Sequence, residues 1–573
     1  MHGYFEKMPL LAASPISPDP RNRAELEAEE NRIEEAARTV RQAGTPTEIM
    51  HEKGFLTVWE RIGRLVDAGS FLPLHTLLNP AENTEGTTGI VDGLARIAGK
   101  WCVVAGFDNK VLSGAWLPGQ SENQLRVTEL ARRLNIPLVW LVNCSGVKLS
   151  EQHRVFGGRR GTGSTFYRHA DMALTGLPVI AGVWGTNPAG GGYQTMSTSW
   201  IAAHKDAVVA AGGALAGQAI HGPFDAEAGA RLVALIGSLE GRTPGTAATH
   251  GPITGFFSKV CPTEEAVLDA LRERVAQMPA YAPDYFRVTA PEAPAFEASD
   301  LYSLLPRDPS RPYSLEACLA RLTDGGRHLE YRPDYGPEVY CGMARLSGLP
   351  VGIVGNRQDG LPAGYPDYAR GRYAGRGGGL YREGLIKMSE FVALCGRDRM
   401  PVVWFQDTLG LDVSVEAEQA EILALGQTLM YGIEQADVPM MLVVLRRGLV
   451  AGHYIMGGPI ANASNAFTLG TAATGISVMP GDLAAALSYG RKLVSEARRG
   501  VSSEGTLDRM NAMSRDISEH AQPLYCARAG LVDEIVRLDA VRAYLLAFAE
   551  SAYQNPGSFC PHHHRLLPRV IRG

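Results

Sequence analysis

Long hydrophobic runs are absent from this sequence. None of its 573 residues lies in an unbroken apolar stretch of about 18 residues, which is the length that a transmembrane helix needs. The first residues, MHGYFEKMPLL, also lack the apolar segment of a secretory signal peptide. These absences predict a cytoplasmic protein.

Regular cysteine spacing and basic clusters are absent as well. The 8 cysteines are scattered, which favours a reducing cytosol over a disulfide framework. The run CPHHHR at 560–565 is not predicted to bind a metal, because about four ligands are needed and adjacent histidines rarely all reach one ion. With a net charge of −5 and no basic run interleaved with aromatic residues, nucleic-acid binding is not expected.

The sequence does contain an internal repeat. Three segments of the first half recur in the same order in the second half. The pairs are 93–106 (GLARIAGKWCVVAG) with 342–355 (GMARLSGLPVGIVG), 136–147 with 400–411, and 177–193 with 438–454. Their numbering offsets are 342 − 93 = 249, 400 − 136 = 264 and 438 − 177 = 261. A repeat in fixed order with little drift predicts two copies of one fold.

Each copy alternates short apolar runs with helical stretches. The runs lie at 101–107, 136–143 and 177–185, and again at 349–356, 400–407 and 438–445. Continuous apolar strands between helices are typical of an α/β fold with a buried sheet. Two domains of about 250 residues each are within the range that single α/β domains reach.

Composition predicts the boundaries of these domains. Leu26, Ile33, Ala37 and Val40 share one face of a predicted helix over 21–40, so residues 1–50 are expected to form a helical arm. The proline-rich composition of residues 278–314 predicts a linker between the two domains. The predicted domains are therefore 51–295 and 296–573. The second copy also carries a glycine- and arginine-rich insertion at 359–384, which we interpret as a binding loop.

Two glycine-bearing turns follow strands in the first copy. One contains Val147, and the other contains Gly190 and Gly191. Two such turns can direct two backbone N–H groups at one oxygen, which is the arrangement of an oxyanion hole. Residues 193–204 are predicted to form a helix whose positive N-terminal end adds to the field.

The second copy repeats this layout. Leu411 follows the strand over 400–407, and Ala451 and Gly452 follow the strand over 438–445. The spacing predicts one pair of N–H donors in each copy. An alternative is that the glycines only close tight turns in an α/β fold, although retention of both turns in both copies favours retained geometry.

Side chains near these turns have alternative interpretations. Ser145 is not predicted to act as a nucleophile, since no G-x-S-x-G motif is present and no histidine and acid are placed to complete a triad. His453 either donates or accepts a proton, or it orients the backbone or lines the pocket. Arg159 and Arg160, within GRRGTG at 158–163, either meet phosphate groups of a ligand or face solvent.

Longer motifs give the chain a family resemblance. They are WCVVAGFDNKVLSGAWLPGQ (101–120), NCSGVK (143–148), WGTNPAGGGY (184–193), DLYSLLP (300–306), HYIMGGP (453–459), NAFTLGTAAT (465–474) and AYQNPGSFCP (552–561). With these motifs along nearly its whole length, the chain resembles the crotonase-fold carboxyltransferases of biotin-dependent acyl-CoA carboxylases and decarboxylases.

The resemblance implies a fold and a chemistry. It implies two tandem crotonase-fold domains of similar topology and a homo-oligomer in which the N-terminal half of one subunit faces the C-terminal half of another. An acyl-CoA thioester would occupy the first hole, at Val147 and Gly190 or Gly191, and form an enolate. Biotin would occupy the second hole, at Leu411 and Ala451 or Gly452. Substrate contacts are expected from the residues beside these turns: Ser145, Gly146, Arg159, Arg160, Tyr193, Gly410 and His453.

The resemblance also implies partner subunits. The chain has no A/V-M-K-M sequence of a biotinylated lysine, so biotin is expected on a separate carrier subunit. A membrane-bound decarboxylase subunit or a biotin carboxylase subunit would complete the complex, and the chain would reach a membrane only through such partners. The acyl group and the direction of transfer stay open at this point.

Overall fold

The computed structural model describes residues 18–555, apart from 159, 162, 175, 197, 213–217, 219, 221, 240–242, 360, 363, 367–374 and 459–464. Arg159 and the run at 560–565 therefore lie outside the described residues, and the insertion at 359–384 is described only in part. No helix within the described part of the chain has the length and apolar character that spanning a bilayer requires.

The chain consists of two compact units. The N-terminal unit contains the described residues of Ala37–Tyr281 and Gln554–Gly573, and the C-terminal unit contains those of Met1–Ala36 and Ala282–Tyr553. Both units mix helices and strands, as the sequence predicts. The three segments predicted from composition, 1–50, 51–295 and 296–573, stay a prediction.

Strands of the N-terminal unit form one seven-stranded and one two-stranded sheet within the described residues. They are β1 (Leu72–Leu74), β2 (Ile90–Ile97), β3 (Lys100–Phe107), β4 (Leu138–Val142), β5 (Val179–Val183), β6 (Thr186–Pro188), β7 (Trp200–His204), β8 (Val208–Ala210) and β9 (Lys259–Cys261). The large sheet has the order β1-β2-β3-β4-β5-β7-β9. Its first three strands are antiparallel and every later pair is parallel.

Strands of the C-terminal unit form a sheet with the same plan. They are β10 (Leu329–Glu330), β11 (Val339–Leu346), β12 (Leu349–Asn356), β13 (Gly379–Leu380), β14 (Val402–Thr408), β15 (Gly410–Leu411), β16 (Met440–Leu449), β17 (Asn465–Gly470), β18 (Gly475–Ser477) and β19 (Glu534–Ile535). The order is β10-β11-β12-β14-β16-β17-β19, with β18 beside β16 and a separate β13-β15 pair. Again the first three strands are antiparallel and the rest are parallel.

The helices are numbered along the chain. They are α1 (Pro20–Gln42), α2 (Thr47–Glu52), α3 (Val58–Leu65), α4 (Gln120–Leu134), α5 (Gln152–Val155), α6 (Gly163–Leu174), α7 (Gly190–Tyr193), α8 (Ala226–Leu239), α9 (Ala247–His250), α10 (Glu264–Ala276), α11 (Leu301–Leu304), α12 (Leu315–Leu319), α13 (Arg382–Arg397), α14 (Val415–Gln419), α15 (Ile422–Ala436), α16 (Val450–Ile455), α17 (Gly481–Arg499), α18 (Glu504–His520), α19 (Pro523–Ala529) and α20 (Val541–Gln554). Short 3₁₀ helices lie at Leu112–Gly114, Leu149–Glu151, Pro283–Phe286, Ala298–Asp300, Asp324–Gly326 and Leu538–Ala540.

The repeat in the sequence therefore corresponds to two sheets of one topology. The hairpins β2–β3 and β11–β12 have strands of the same length, and their first residues differ in number by the first repeat offset (339 − 90 = 249). The starts of β4 and β14 differ by the second offset (402 − 138 = 264), and those of β5 and β16 by the third (440 − 179 = 261). The same strand order arises twice because the same apolar pattern occurs twice.

Burial of the central strands brings the predicted turns together. Every residue of β4 and β5 is buried, and Val139 and Ile180 belong to a core that includes Ile62 of α3 and Leu271 of α10. Neighbouring parallel strands end at the same edge of a sheet. The segments after β4 and β5 therefore emerge side by side, and so do those after β14 and β16.

The helix predicted over 193–204 is wrong. Helix α7 ends at Tyr193, and Trp200–His204 forms strand β7 beside β5. Between them, the Thr195 hydroxyl donates to the Gly192 carbonyl at 2.6 Å and the Thr198 hydroxyl donates to the Thr195 carbonyl at 2.7 Å. Such local side-chain bonds favour turns over continued helix.

Candidate active site

The turn after β4 presents the N–H group of Val147. Gly146 has φ of +105°, a left-handed conformation that glycine adopts without strain. The Trp116 N–H donates to the Gly146 carbonyl at 2.7 Å, and the Lys148 N–H donates to the Trp116 carbonyl at 3.0 Å. These two bonds flank Val147 and bridge it to Trp116. No acceptor for the Val147 N–H is found among the described residues.

The turn after β5 presents the first N–H groups of helix α7. The N–H groups of Gly190 and Gly191 find no acceptor within the described residues, as is usual in the first turn of a helix. A Cβ atom on Gly191 would lie 2.5 Å from the Cys144 carbonyl oxygen and 2.9 Å from its Sγ. Only glycine therefore allows this turn to pack on the turn that contains Val147.

Asn187 joins the two turns of the N-terminal unit. Its buried Oδ1 accepts the Cys144 N–H at 2.7 Å, and its Nδ2 donates to the Trp184 carbonyl at 2.8 Å. Longer bonds reach the carbonyls of Gly185 and Val208. Sequence reasoning assigned Asn187 no role, although it stands in the NPAGGGY motif.

The first turn of the C-terminal unit has the same geometry. Gly410, which matches Gly146 at the second repeat offset (410 − 146 = 264), has φ of +95°. Strand β15 pairs with β13, so that Leu411 lies opposite Leu380, and the Asp412 N–H donates to the Leu380 carbonyl at 3.0 Å. Because the N–H groups of a strand point alternately to its two sides, the Leu411 N–H points away from β13. Leu411 therefore occupies the position that Val147 holds in the first copy.

The second turn of the C-terminal unit also repeats its counterpart. Helix α16 begins at Val450, which has φ of +54°, and the matching residue Ala189 (450 − 189 = 261) has φ of +46°. The N–H groups of Ala451 and Gly452 find no acceptor in the described part of the chain. A Cβ atom on Gly452 would lie 2.7 Å from the Gly410 Cα atom, so this turn also needs glycine where it packs on its neighbour.

Gln406 and His453 support the turns in the C-terminal unit. The Gln406 Oε1 lies 2.6 Å from Nδ1 of His453, and the Gln406 Nε2 donates to the His453 carbonyl at 3.1 Å. The His453 side chain is buried, and burial lowers the pKa of its ring to about 4. The ring is thus neutral at neutral pH and is bonded within the unit. Sequence reasoning did not single out Gln406.

The copies hold the same turns with different side chains. His453 stands where the first copy has Gly192 (453 − 192 = 261), and Gly448 stands where it has Asn187 (448 − 187 = 261). A Cβ atom on Gly448 would lie 2.6 Å from Nδ1 of His453. The loss of the Asn187 side chain therefore makes room for the histidine.

A buried arginine supports the end of β4. Arg61 forms two bonds of 2.9 Å with Glu264 and donates to Oδ1 of Asn143 at 3.1 Å. Its guanidinium lies over the Trp184 ring at 4.4 Å. The paired carboxylate compensates a charge that would otherwise be expensive to bury.

Buried charge also fixes the end of β14. Asp407 accepts from Nε of Arg446 at 2.7 Å and from Nε of Arg447 at 2.6 Å. The Arg446 guanidinium lies over the Tyr313 ring at 4.7 Å. Asp407 matches Asn143 at the second repeat offset (407 − 143 = 264), so both copies place an arginine contact at the same position with different side chains.

Ser145, Tyr193 and Arg160 are the other described residues that the sequence predicts to contact substrate. Ser145 is exposed and its hydroxyl donates to the Leu112 carbonyl at 2.9 Å. The Tyr193 ring meets Phe166 edge-on at 5.2 Å. Arg160 pairs with Glu122 at 3.0 Å and its side chain is 71% exposed. Burial raises the pKa of the Cys144 thiol to about 12, which leaves it a poor nucleophile.

Each copy places N–H groups that lack acceptors among the described residues on two adjoining turns, with a glycine where the turns meet. Donors of this kind stabilise an oxygen atom on which negative charge develops. The N–H groups found here are backbone groups on turns held by buried side chains, so their positions are set by the fold.

Comparison with known proteins gives a consistent assignment. The family model described as "Carboxyl transferase domain" matches residues 50–567. The chain is 45% identical over 576 aligned residues to glutaconyl-CoA decarboxylase subunit alpha of Acidaminococcus fermentans, with 100% of this chain and 98% of that protein covered. It is 28% identical to the biotin-dependent 3-methylcrotonyl-coenzyme A carboxylase beta1 subunit of Mycobacterium tuberculosis, with 71% of each protein covered.

A solved structure agrees at the level of the fold. The beta subunit of geranyl-CoA carboxylase from P. aeruginosa superposes with a TM-score of 0.75 at 21% identity, covering 95% of this chain and 98% of that one. At that identity the likeness concerns the fold alone.

Proposed function

This chain belongs to the carboxyl transferase family, and from that premise we propose that it transfers a carboxyl group between an acyl-CoA thioester and biotin. The proposed acyl-CoA is glutaconyl-CoA or a related short acyl-CoA. The relative that is 45% identical over the full chain carries a glutaconyl-CoA decarboxylase name, which supports this choice. The relatives named as beta or carboxyltransferase subunits of acyl-CoA carboxylases are 28% identical or less, so a carboxylase subunit is the second candidate.

The first pair of turns is proposed to bind the thioester oxygen. The N–H groups of Val147 and Gly191, or Gly190, would donate to that oxygen when the bond to the carboxyl group breaks and its electron pair passes to the acyl group as an enolate. One such donor is worth about 3–4 kcal/mol in related chemistry. The absence of other acceptors for these N–H groups among the described residues supports the assignment.

The second pair of turns is proposed to bind the ureido oxygen of biotin. Biotin, when bound, supplies a nitrogen that accepts the carboxyl group and yields its proton to the acyl carbon. The N–H groups of Leu411 and Gly452, or Ala451, would donate to the ureido oxygen as its charge changes. Neutral His453 would hold the backbone rather than move a proton, since Gln406 already binds its Nδ1.

The wider assembly is also a proposal. We infer two tandem crotonase-fold domains, a homo-oligomer, and biotin carried on a separate subunit. A membrane decarboxylase subunit is the proposed partner for a decarboxylase, and a biotin carboxylase subunit for a carboxylase. Exposed Ser145, the Tyr193 ring and the arginines at 159 and 160 are proposed to contact the acyl-CoA.

One observation carries this proposal. Both copies have the same three backbone features. The first turn has a glycine at positive φ, and the second turn has a non-glycine residue at positive φ next to a short helix. A glycine of the second turn then packs on the first turn. If the turns served only to close the fold, a strained conformation at Ala189 and again at Val450 would gain nothing.

The test uses the purified full-length chain with free biotin. Glutaconyl-CoA should be consumed only when biotin is present, with crotonyl-CoA as the product. Propionyl-CoA and 3-methylcrotonyl-CoA, incubated with carboxylated biotin, probe the carboxylase alternative. Absence of turnover across all three would favour a third candidate, a non-catalytic scaffold that only assembles biotin and membrane subunits.

A further inference from the structure

Glu338 is a buried residue directly before β11, outside both pairs of turns. Its Oε2 accepts from the Tyr365 hydroxyl at 2.6 Å. Its Oε1 accepts from the N–H groups of Gly384 at 3.0 Å and Tyr381 at 3.3 Å. All three donors belong to the insertion at 359–384. One carboxyl therefore binds both an early and a late part of that insertion.

The late part of the insertion holds the turn that contains Leu411. The Gly378 carbonyl accepts the Leu409 N–H at 2.8 Å, and the Leu380 carbonyl accepts the Asp412 N–H at 3.0 Å. These two bonds attach β13 to the chain on both sides of the turn. Strand β13 ends directly before the first N–H group that the carboxyl binds, so the carboxyl fixes the chain next to that strand.

The first copy reaches the same position by a shorter path. Trp116 matches Leu380 at the second repeat offset (380 − 116 = 264) and lies opposite Val147. It comes 9 residues after the end of β3 (116 − 107 = 9), whereas Leu380 comes 24 residues after the end of β12 (380 − 356 = 24). A longer connection costs more conformational entropy to close. A bond that holds the end of the connection therefore contributes more in the second copy.

The two copies make the polar contact beside this position with opposite residues. In the first copy, Gln120 at the start of α4 donates from Nε2 to the Thr88 carbonyl at 2.8 Å, and the residue that matches Glu338 is Gly89 (338 − 89 = 249). In the second copy, the residue that matches Gln120 is Gly384 (384 − 120 = 264). A Cβ atom on Gly384 would clash with Oε1 of Glu338. An amide that extends from the helix is thus replaced by a carboxyl that extends towards it.

We propose that Glu338 is a positioning residue for carboxyl transfer, which holds the insertion so that β13 keeps the Leu411 N–H directed at biotin. The proposal rests on the function proposed for the second pair of turns. Glu338 would not touch biotin, since its carboxyl oxygens are bound by Tyr365 and by the N–H groups at the start of α13.

The test compares Glu338→Ala with Asp324→Ala in the full-length chain at pH 8, above the pKa of about 7 that burial gives Glu338. Asp324 is the matched control, because its buried carboxylate accepts the Gly348 N–H at 2.6 Å beyond the other end of β11. Hydrogen exchange of the Leu409 and Asp412 N–H groups should become about tenfold faster in Glu338→Ala, as expected when such hydrogen bonds are lost. Exchange at these groups should stay at the wild-type rate in Asp324→Ala.

Transfer kinetics provide a second readout. Glu338→Ala should lower kcat/KM for biotin by about tenfold and leave kcat/KM for the acyl-CoA near wild type. Glu338→Gln keeps an oxygen that can accept from Gly384 and should restore both exchange and kcat/KM to near wild type. If Glu338→Ala does not fold, Tyr365→Phe removes only one hydroxyl and should change both readouts in the same direction.

Wild-type exchange and wild-type kcat/KM for biotin in Glu338→Ala and Tyr365→Phe would overturn the proposal. Equal effects of Glu338→Ala and Asp324→Ala would do the same, since they would reflect general stability. A wild-type chain that transfers no carboxyl group would overturn the proposed function instead, and the exchange rates would still decide whether Glu338 positions this turn.

Discussion

Asp407 shows at the residue scale how one carboxylate fixes the end of a strand. It is fully buried and pairs with Arg446, which is also buried, and with Arg447. In Asp407→Asn the Arg446 charge would stay buried without a carboxylate. We expect a loss of about 3–5 kcal/mol in the free energy of unfolding, measured by urea denaturation.

A surface pair provides the matched control for this variant. Asp398 pairs with Arg397, and both side chains are exposed, so Asp398→Asn should change the free energy of unfolding by less than about 1 kcal/mol. Equal effects of the two substitutions would show that the buried cluster around Asp407 does not stabilise the unit.

Glu338 makes the stability of the protein depend on pH. Its buried carboxyl accepts from the Tyr365 hydroxyl at 2.6 Å and from the Gly384 N–H at 3.0 Å. Burial nevertheless raises its pKa from 4.5 to about 7. Between these values the folded protein holds a proton that the unfolded chain has released. Stability should therefore fall as pH rises from 4.5 to about 7.

The variant Glu338→Gln removes this titration. The free energy of unfolding of the variant minus that of wild type should therefore increase from pH 5 to pH 8. The increase should be up to about 3 kcal/mol, at about 1.4 kcal/mol per pKa unit. Urea denaturation of both proteins at the two pH values measures the difference. A difference that does not change with pH would mean that the carboxyl keeps an ordinary pKa.

At the scale of elements, the side chains that hold the two pairs of turns, Asn187 and Gln406, should affect different substrates. Asn187→Ala leaves the buried Cys144 N–H without its acceptor, which costs about 1–3 kcal/mol and loosens the turns of the N-terminal unit. Gln406→Ala does the same to His453 in the C-terminal unit. We expect the first variant to lower kcat/KM for the acyl-CoA and the second to lower kcat/KM for biotin, in steady-state transfer assays.

The expected effect is about tenfold in each case, because roughly 1.4 kcal/mol corresponds to tenfold. Both residues act through the backbone, so the split between the two substrates is the diagnostic result. If each variant lowered both kcat/KM values equally, the supports would serve general stability and not one turn pair.

Local pattern predicted most of the elements. The helix expected at 21–40 is α1, and the apolar runs at 136–143 and 400–407 contain or overlap β4 and β14. These elements follow from hydrophobic periodicity, which a sequence displays directly. The failure at 193–204 arose where threonine side chains bond to nearby carbonyls, a competition that apolar pattern does not reveal.

The buried side-chain pairs that hold the turns of the candidate site could not be predicted from hydrophobic periodicity. Arg61 pairs with Glu264, 203 residues away, and Gln406 pairs with His453, 47 residues away. Such partners are set by the fold, and the local pattern of a single sequence gives no signal for them. The glycines, in contrast, were visible because backbone geometry restricts the residue type at their positions.

At the scale of the whole molecule, one fold is present twice with one turn geometry. The strand order, the left-handed glycines at 146 and 410, and the strained residues Ala189 and Val450 recur at the offsets of the repeat. A β-branched residue at positive φ is a true outlier, so its presence at Val450 indicates that the turn is maintained against local preference. The side chains behind the turns have diverged, while the N–H groups have not.

The most direct test of this account replaces the packing glycine of each copy. Gly191→Ala would place a methyl group 2.5 Å from the Cys144 carbonyl oxygen, and Gly452→Ala would place one 2.7 Å from the Gly410 Cα atom. Gly229→Ala and Gly490→Ala, in helices α8 and α17, are the controls, since nothing lies within 4 Å of the added atom. Circular dichroism confirms that each variant is folded.

The measurement is carboxyl transfer from glutaconyl-CoA to free biotin, with both substrates varied. We predict that Gly191→Ala lowers kcat/KM for the acyl-CoA, and Gly452→Ala lowers kcat/KM for biotin, each by about 100- to 1,000-fold, while the controls stay near wild type. Small and equal effects of the two variants on both substrates would contradict the assignment of one turn pair to each carbonyl.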